Sequence, residues 1–212
     1  MADWVTISSL GTAGGTLALA VATFSSIRSA NHSARVAERS LLAGLRPVLI
    51  HSREDDPVQR VRFGDGHRLV VPGHGAAAQE TGGSVYLSIA LRNGGSGLAV
   101  VHGWRARPRA ASQSEVPLSR LDEFRRQQLD LLIPAGEVTF WLGAMRDPHE
   151  PGYDEVLAAV RAGEPLQVDL LYSDHEGGQR TVARFIVSDW PEEEGERATV
   201  VRYWSVDGAD PH

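Results

Sequence analysis

The sequence predicts a mainly β protein, an antiparallel β-sandwich preceded by an N-terminal transmembrane helix and a helical connector. Two observations predict this order. From Arg46 onward, short apolar runs alternate with glycine-rich turns, and helical periodicity is scarce. Before it, the 24 residues from Trp4 to Ile27 carry no charge. Many short strands joined by frequent turns are typical of an immunoglobulin-like sandwich.

The amino-acid composition excludes several kinds of site and of binding partner. The 212 residues are enough for one domain plus an attachment segment. Cysteine is absent, which excludes disulfides, thiolate metal sites and cysteine nucleophiles. All 21 basic residues are arginine, which is typical of a GC-rich bacterial genome. Residues 47–212 hold 25 acidic residues and 17 arginines, a net charge of −8, so the composition argues against nucleic-acid binding.

The charge-free stretch is predicted to be a single membrane span. A helix over Trp4–Ile27 would be about 36 Å long, enough to cross a bilayer. A cleaved signal peptide is disfavoured, because only Asp3 precedes the apolar run, and a buried soluble helix would rarely lack charge for so long. Since Arg28, Arg35 and Arg39 follow the span, we expect a cell-membrane protein with its N-terminus outside and its domain in the cytoplasm.

Small residues inside the span indicate self-association. Gly11 and Gly15 form a Gly-x-x-x-Gly motif, which lets two helices approach closely and is compatible with homo-oligomerisation through the span within the lipid bilayer. The alternative is that Gly and Ala are simply frequent in proteins from a GC-rich genome. Residues 28–45 read as a helical connector stopped by Gly44 and Pro47. The pattern leaves open whether the connector lies on the membrane, pairs with another copy, packs on the domain or is solvated. The predicted organisation is thus a tail (1–3), span (4–27), connector (28–45), β-sandwich domain (46–207) and tail (208–212).

The domain shows nine candidate strands, recognised by β-branched and aromatic residues between turn signals. Two hairpins are predicted, one turning at Asn93–Gly97 and one at Glu176–Gly178. Gly73–Gly83 reads as a flexible loop and Pro191–Arg197 as an acidic solvated turn. The strands are Pro47–Ser52, Val58–Phe63, Arg68–Val71, Val85–Arg92, Leu98–Arg107, Val138–Leu142, Leu166–Tyr172, Arg180–Ser188 and Thr199–Val206, and the short helices are Leu118–Leu129 and Tyr153–Arg161.

The sequence contains no established catalytic motif. The densest polar cluster is Asp174, His175 and Glu176, whose carboxylates and imidazole are suited to metal binding or proton transfer. Side chains alternate along a strand, however, and two glycines follow, so a hairpin tip is the simpler interpretation. On that view the domain folds without metal, and alanine at any of the three positions leaves its thermal midpoint nearly unchanged.

Other histidines and the tryptophans offer weaker candidates. His67 and His74 are seven residues apart across a predicted hairpin, which would permit a shared metal, although separate loop histidines are the commoner arrangement. His102 is expected to satisfy a neighbour rather than to act in catalysis. The tryptophans are predicted to be core or core-edge residues: Trp104, Trp141, Trp190 and Trp204.

Three sequence segments resemble a known group of proteins. They are Ala37–Leu49, Leu91–Val100 and Asp169–Thr181, and they resemble a family of small, single-span membrane proteins from GC-rich bacteria with a C-terminal immunoglobulin-like β domain. That family has no assigned activity, so the resemblance implies membrane anchorage and no functional residue. The phrase Leu91-Arg92-Asn93-Gly94-Gly95-Ser96-Gly97 is also similar to the strand–turn–strand of membrane-tethered immunoglobulin-like domains.

The leading hypothesis is therefore a membrane-anchored, non-enzymatic β-sandwich that presents an interaction surface to a protein partner or to its own copies. We assign no catalytic, cofactor-binding or metal residue. The alternative is a membrane-tethered hydrolase or metal-dependent enzyme that uses the region of Asp174, His175 and Glu176. The two differ in one observable, namely whether those side chains converge in a concave pocket.

Overall fold

The computed structural model describes residues 4–109, 118–189 and 196–207. Trp190, most of the predicted acidic turn and both predicted tails therefore lie outside the described residues. The chain divides into two compact units, Met1–Gly44 and Leu45–His212. Each unit is described by itself below.

The first unit is one continuous α-helix, α1, Trp4–Gly44. It runs through both the predicted span and the predicted connector without a break. Hydroxyl groups on it bond back to the preceding turn, since Thr23 Oγ1 donates to the Leu19 carbonyl at 2.7 Å and Ser25 Oγ to that of Ala22 at 2.8 Å. Across the described part of the chain, none of the helices combines the length and the apolar character that a bilayer crossing requires. The transmembrane assignment of Trp4–Ile27 stays a prediction.

The second unit is mainly β, as predicted, and all its paired strands are antiparallel. It also contains a 3₁₀ turn at Leu121–Glu123 and a helix, α2, Tyr153–Ala162, close to the predicted bounds. The strands are β1 Leu49–His51, β2 Gln59–Arg62, β3 Arg68–Val71, β4 Ala76–Thr81, β5 Ser84–Asn93, β6 Ala99–Pro108, β7 Arg125–Ile133, β8 Val138–Met145, β9 Leu166–Ser173, β10 Thr181–Asp189 and β11 Glu196–Ser205.

The strands form two facing sheets and a small hairpin. In the first sheet β5 is central, with β8 on one side and β1 and β4 on the other. The second sheet has the order β11-β10-β9-β6-β7, and β2 pairs with β3. The main core lies between the sheets, where Ile89 and Trp141 from the first sheet join Leu170 and Phe185 from the second, all four fully buried. This arrangement is consistent with a β-sandwich.

The β2–β3 hairpin covers the outer face of the first sheet. Val61, Phe63 and Leu69 of the hairpin form a second apolar cluster with Tyr86 and Ala90 of β5. Because both faces of β5 are covered, its sequence is apolar almost throughout instead of alternating.

The predicted hairpin at Asn93–Gly97 is wrong, because β5 and β6 belong to different sheets and this segment is the crossing between them. Asn93 is fully buried. Its Nδ2 donates to the Gly97 carbonyl at 2.6 Å and to the Ile133 carbonyl at 2.9 Å. Its Oδ1 accepts from the Val48 amide at 3.2 Å. A Cβ at Gly97 would overlap the Leu45 carbonyl, so the glycine is required by close packing.

Two further predictions fail. The helix predicted over Leu118–Leu129 is instead the 3₁₀ turn followed by β7, because pairing with β6 outweighs the local periodicity. The loop predicted over Gly73–Gly83 contains β4, which pairs with β5 through a two-glycine turn. The other predicted hairpin, at Glu176–Gly178, is confirmed by the pairing of β9 with β10.

Candidate functional site: a groove at the open edge of the sandwich

The two sheets meet differently at their two edges. At one edge, β11 contacts β1 and β4 of the first sheet. At the other, β7 and β8 are the outermost strands, joined by the turn after Ile133, and among the described strands neither has a ladder partner on its outer side. A groove of about 980 Å³ opens there. This is at the upper end of the range for ligand pockets.

We call this cavity the β7–β8 groove. Apolar side chains line part of it: Trp104, Phe124, Leu131, Phe140 and Leu142. The charged lining is mixed and includes more arginines than acids: Arg62, Arg105, Arg107, Arg125, Arg126 and Arg146 against Asp122, Glu123, Asp130, Glu150 and Glu155. This patch carries a small positive excess on a domain that is strongly acidic overall.

Part of the charged lining is held in place by contacts within the domain. The Arg125 guanidinium lies 5.2 Å from the Trp104 ring centroid, forms an ion pair with Glu150 and donates to the Pro151 carbonyl at 3.0 Å. Burial lowers the pKa of Arg125 from its ordinary value, and the cation–π contact and ion pair offset the cost of that burial. Arg105 is bound to Glu123 at 2.7 Å.

Gln127 is the polar link across the open edge. Its Nε2 donates to the Leu142 carbonyl of β8 at 3.3 Å, and its Oε1 accepts from Trp141 Nε1 at 3.2 Å. Beyond it, Leu129 is 81% exposed. Between the pairs Val101–Leu131 and Gly103–Arg126, β7 contains the four residues 127–130 where β6 contains one, so β7 has a bulge beside the groove.

The opposite edge is sealed by polar contacts. The His51 and His74 rings stack with centroids 4.4 Å apart, and Arg197 Nη1 lies 3.0 Å from His74 Nδ1. Arg197 also bonds Glu54 at 2.9 Å. The Tyr203 hydroxyl donates to the Leu49 carbonyl at 2.6 Å. The contacts of Arg197 and Tyr203 join β11 to β1 of the first sheet and to the segments that flank its strands, and the stacking of His51 on His74 holds β1 to the segment before β4.

The electrostatics of the sealed edge favour neutral imidazoles. Burial, and next the neighbouring His74, lower the pKa of His51. Burial, and next the Arg197 charge, lower the pKa of His74, and nearby Glu54 only partly opposes this. His74 also adopts a left-handed backbone conformation, with φ of 59°.

The predicted polar cluster at Asp174 is a turn. Asp174 Oδ1 accepts from the backbone N–H groups of Gly178 at 2.8 Å and Glu176 at 3.1 Å. Asp174 is nearly buried, whereas the side chains of His175 and Glu176 are 61% and 71% exposed. None of the three lines the β7–β8 groove. The enzyme alternative therefore lacks the convergence it needs at this groove.

This geometry changes one expectation. Asp174→Ala would remove a carboxylate that accepts two turn N–H bonds, so we expect it to cost about 1–3 kcal/mol in the free energy of unfolding. His175→Ala and Glu176→Ala serve as matched controls and should stay within about 0.5 kcal/mol. Denaturant unfolding of the three variants measures the difference. Equal small effects at all three positions would show that the turn bonds are not stabilising.

The remaining predicted candidates separate in space. His67 stacks on Tyr86 at one end of β3, with ring centroids 3.9 Å apart, whereas His74 lies beyond the other end. His102 Nε2 lies 2.6 Å from Ser173 Oγ, as expected of a histidine that satisfies a neighbour. The predicted core positions of Trp104, Trp141 and Trp204 are confirmed by exposures of 5%, 0% and 5%.

The second sheet contains a buried ion pair that the sequence did not reveal. Arg184 Nε donates to Asp169 Oδ1 at 2.8 Å and Nη2 to Oδ2 at 2.9 Å. Ser119 and Gln167 donate to the same carboxylate, at 2.5 Å and 3.1 Å. The guanidinium also lies 4.9 Å from the Trp204 ring centroid. With its lone pairs satisfied in this way, the Asp169 carboxylate acts as a structural support for β9 and β10.

Most groove residues on β7 were not recognisable from the sequence, because Arg125–Leu129 lies inside a predicted helix. The alternation of Leu129, Leu131 and Ile133 was the available signal for a strand. Within the described residues, no group of three or more His, Asp or Glu side chains is placed to hold a metal ion. No protein-family model, no curated protein and no solved structure matches the chain. The resemblance to single-span membrane proteins stays a prediction.

Proposed function

We propose that this chain is a membrane-anchored, non-enzymatic β-sandwich protein that binds another protein through the β7–β8 groove. The observation that carries the proposal is the open edge. It combines an apolar lining, a small positive excess and an 81% exposed leucine, Leu129, on an outermost strand. A concave, partly apolar surface that is bordered by charged residues is typical of an interaction site, and Leu129 extends its apolar part.

Anchorage is supported by the first half of α1. Of its 24 charge-free residues, Leu17, Leu19 and Phe24 have side chains that are open to the surroundings, at 68%, 70% and 68% exposure. The hydroxyls of Thr23 and Ser25 are bonded within the helix, which lowers the cost of an apolar environment. A lipid bilayer would cover these side chains.

Orientation and assembly follow from the same helix. The arginines after the charge-free stretch favour a cytoplasmic domain, with the N-terminus outside. Gly11 and Gly15 favour association of two copies within the bilayer. Space is open around Gly15, where an added Cβ would meet no atom within 4 Å. We also propose that the sandwich is immunoglobulin-like, which the crossing between sheets after β5 and the paired core tryptophans Trp104 and Trp141 support.

Anchorage is tested by carbonate extraction of membranes from cells that express the full chain. We expect the protein in the pellet, and recovery in the supernatant would contradict anchorage. Leu19→Asp, inside the charge-free stretch, should release the protein, whereas Val36→Asp, on the later part of the same helix, should not. A cytoplasm-dependent reporter fused after His212 should be active, and activity of an export-dependent reporter instead would reverse the orientation.

The groove is tested by placing a photo-reactive amino acid at Leu129 in the full chain and irradiating intact cells. We expect a discrete cross-linked protein from Leu129 and none from the control position Val70, which is 64% exposed on β3. Arg126→Glu should abolish the product. Equal labelling from both positions, or no effect of the charge reversal, would contradict a specific surface at the groove.

A further inference from the structure

We infer that the partner segment which enters the β7–β8 groove is an extended peptide of alternating acidic and apolar residues that adds to β8 as a further strand. This inference rests on the proposed function and specifies its ligand. Three features support it: the direction of the backbone groups of β8, the bond that Gln127 makes to one of them, and the charge of the groove lining.

The backbone of β8 presents hydrogen-bonding groups to the groove. The Trp141 carbonyl accepts from Ser88 of β5 at 2.7 Å, so it points toward β5. The Leu142 carbonyl accepts from Gln127 and points away from β5. Because these directions alternate along an antiparallel strand, the N–H and C=O groups of Phe140, Leu142 and Ala144 all face the groove. All three residues line it.

Gln127 occupies one of these positions in the way a strand would. Its side-chain amide donates to the outward Leu142 carbonyl, the bond that the backbone N–H of a further strand would supply. The distance of 3.3 Å is long for an N–H···O bond, so this contact is weak and exchangeable. Among the described strands β7 and β8 form no ladder, so the outer backbone groups of β8 have no strand partner and border the groove. The eight residues of β8 span about 26 Å.

Charge selects the side chains of the peptide. Arg105, Arg125 and Arg146 already have carboxylate partners in the domain. Arg62 and Arg126 are exposed, line the groove and form no ion pair among the described residues.

The exposed lining acids Asp130 and Glu155 form no ion pair among those residues either. Over the whole lining, arginines still outnumber acids by six to five, and this excess favours acidic side chains on an added strand.

Exposed Leu129 offers the apolar contact beside the groove. Successive side chains of an added strand point to opposite faces, so acidic and apolar residues should alternate along it. The occupant is therefore a partner's extended acidic–apolar segment, added by strand pairing.

The test measures binding of labelled synthetic peptides to the full-length chain in detergent by fluorescence anisotropy. The probe is an eight-residue peptide that alternates glutamate and valine. One matched peptide alternates lysine and valine. The other keeps the acidic sequence but carries N-methyl groups on alternate residues, which removes the N–H groups that pair with a strand edge. We expect the acidic peptide to bind with a Kd below about 1 mM and both matched peptides at least tenfold more weakly.

Variants locate the binding site. Arg62→Glu and Arg126→Glu should each weaken binding of the acidic peptide at least tenfold. Arg60→Glu is the matched control, because Arg60 is exposed on the same strand as Arg62 but does not line the groove. Ala144→Pro removes one outward N–H that is not used in pairing with β5, and it should also weaken binding. Far-ultraviolet circular dichroism of each variant confirms that it remains folded.

Several outcomes would overturn the inference. Equal binding of the acidic peptide and its N-methylated form would exclude strand pairing, and equal binding of the acidic and lysine peptides would exclude the charge argument. If no peptide binds while Leu129 still cross-links a protein in cells, the proposed function stands and the partner presents a folded surface instead. Concentration-dependent dimerisation that Arg126→Glu abolishes would make the occupant a second copy of this chain. Loss of both peptide binding and cross-linking would remove the proposed function itself.

Discussion

The two edges of the sandwich differ in how the first sheet is joined to the second. At the sealed edge, side chains of β11 reach the first sheet through the Tyr203–Leu49 bond and the His51, His74 and Arg197 cluster. At the open edge, a bulge interrupts the pairing of β7 with β6, and Gln127 links β7 to β8. Since the sealed edge fixes the sheets relative to each other, the open edge is free to leave its backbone groups for a ligand.

Removing the tryptophan behind the open edge should have the largest effect. Trp141 is fully buried, packs edge-on against Trp104 at 5.3 Å and bonds Gln127. We expect Trp141→Ala to lower the free energy of unfolding by about 3–5 kcal/mol, through lost burial and a residual cavity. Denaturant unfolding measures this loss, with the exposed Leu132→Ala as a near-neutral control. A loss below 1 kcal/mol would mean that Trp141 does not contribute to a packed core behind the groove.

Cutting one bond of the sealed edge should have a moderate effect. Tyr203→Phe removes the hydroxyl that donates to Leu49 and leaves that carbonyl without this partner, so we expect a loss of about 1–2 kcal/mol. Val201→Ala, on an exposed position of the same strand, should change stability by less than about 0.5 kcal/mol. If the two variants are equally stable, the Tyr203 bond does not seal this edge.

Cutting the link across the open edge should cost less. Gln127→Ala leaves Trp141 Nε1 without its partner, and we expect a loss of about 1 kcal/mol. Gln128→Ala, at the exposed neighbouring position, is the control and should leave the free energy of unfolding unchanged. Gln127→Ala should not reduce peptide binding, because an added strand replaces the bond that Gln127 donates to the Leu142 carbonyl. A larger loss from Gln127→Ala than from Tyr203→Phe would reverse the comparison between the edges.

Acidification should weaken the sealed edge selectively, with the smallest expected effect. The pKa values of His51 and His74 are lowered in the folded protein, so below pH 6.5 the unfolded chain binds more protons. This contribution to stability is complete above pH 6.5 and is lost as pH falls through 6.5 toward the folded pKa values. The thermal midpoint should therefore fall less between pH 7.5 and 5.5 in His74→Asn, where asparagine also tolerates the left-handed backbone. The control His149→Asn, at an exposed position, should behave as the unsubstituted chain does.

The sequence pattern predicted a strand correctly where the apolar residues of that strand are the ones that become buried in the fold. β5 is an example, because its nearly continuous apolar run reflects burial on both faces. β4 was missed because three alanines have little strand preference, and pairing with β5 determines its conformation. The two glycines that follow β4 were a usable signal for a hairpin, with φ of 58° and 78°.

The candidate site was less accessible to sequence reasoning than the fold. A groove between two sheet edges depends on which strands are outermost, and strand order is a long-range property. The segment Asn93–Gly97 illustrates this, since its turn residues were recognised but their role in crossing between sheets was not. Arg62 and Arg126 are far apart in the chain and become neighbours of one cavity only in the folded domain.

The buried crossing at Asn93 has a consequence for the chemical ageing of the protein. Asn93 precedes Gly94, and an asparagine–glycine pair is the sequence in which side-chain deamidation is easiest in a flexible chain. In the folded domain the amide is fixed at both ends, by bonds to Gly97, Ile133 and Val48. Conversion to aspartate during a period of unfolding would remove both N–H donors and place a carboxylate against two carbonyl groups. Unfolding that lasts long enough for this reaction would therefore become irreversible. In the folded state the bonds of Asn93 hold its side chain in place, and the chain keeps its ability to refold.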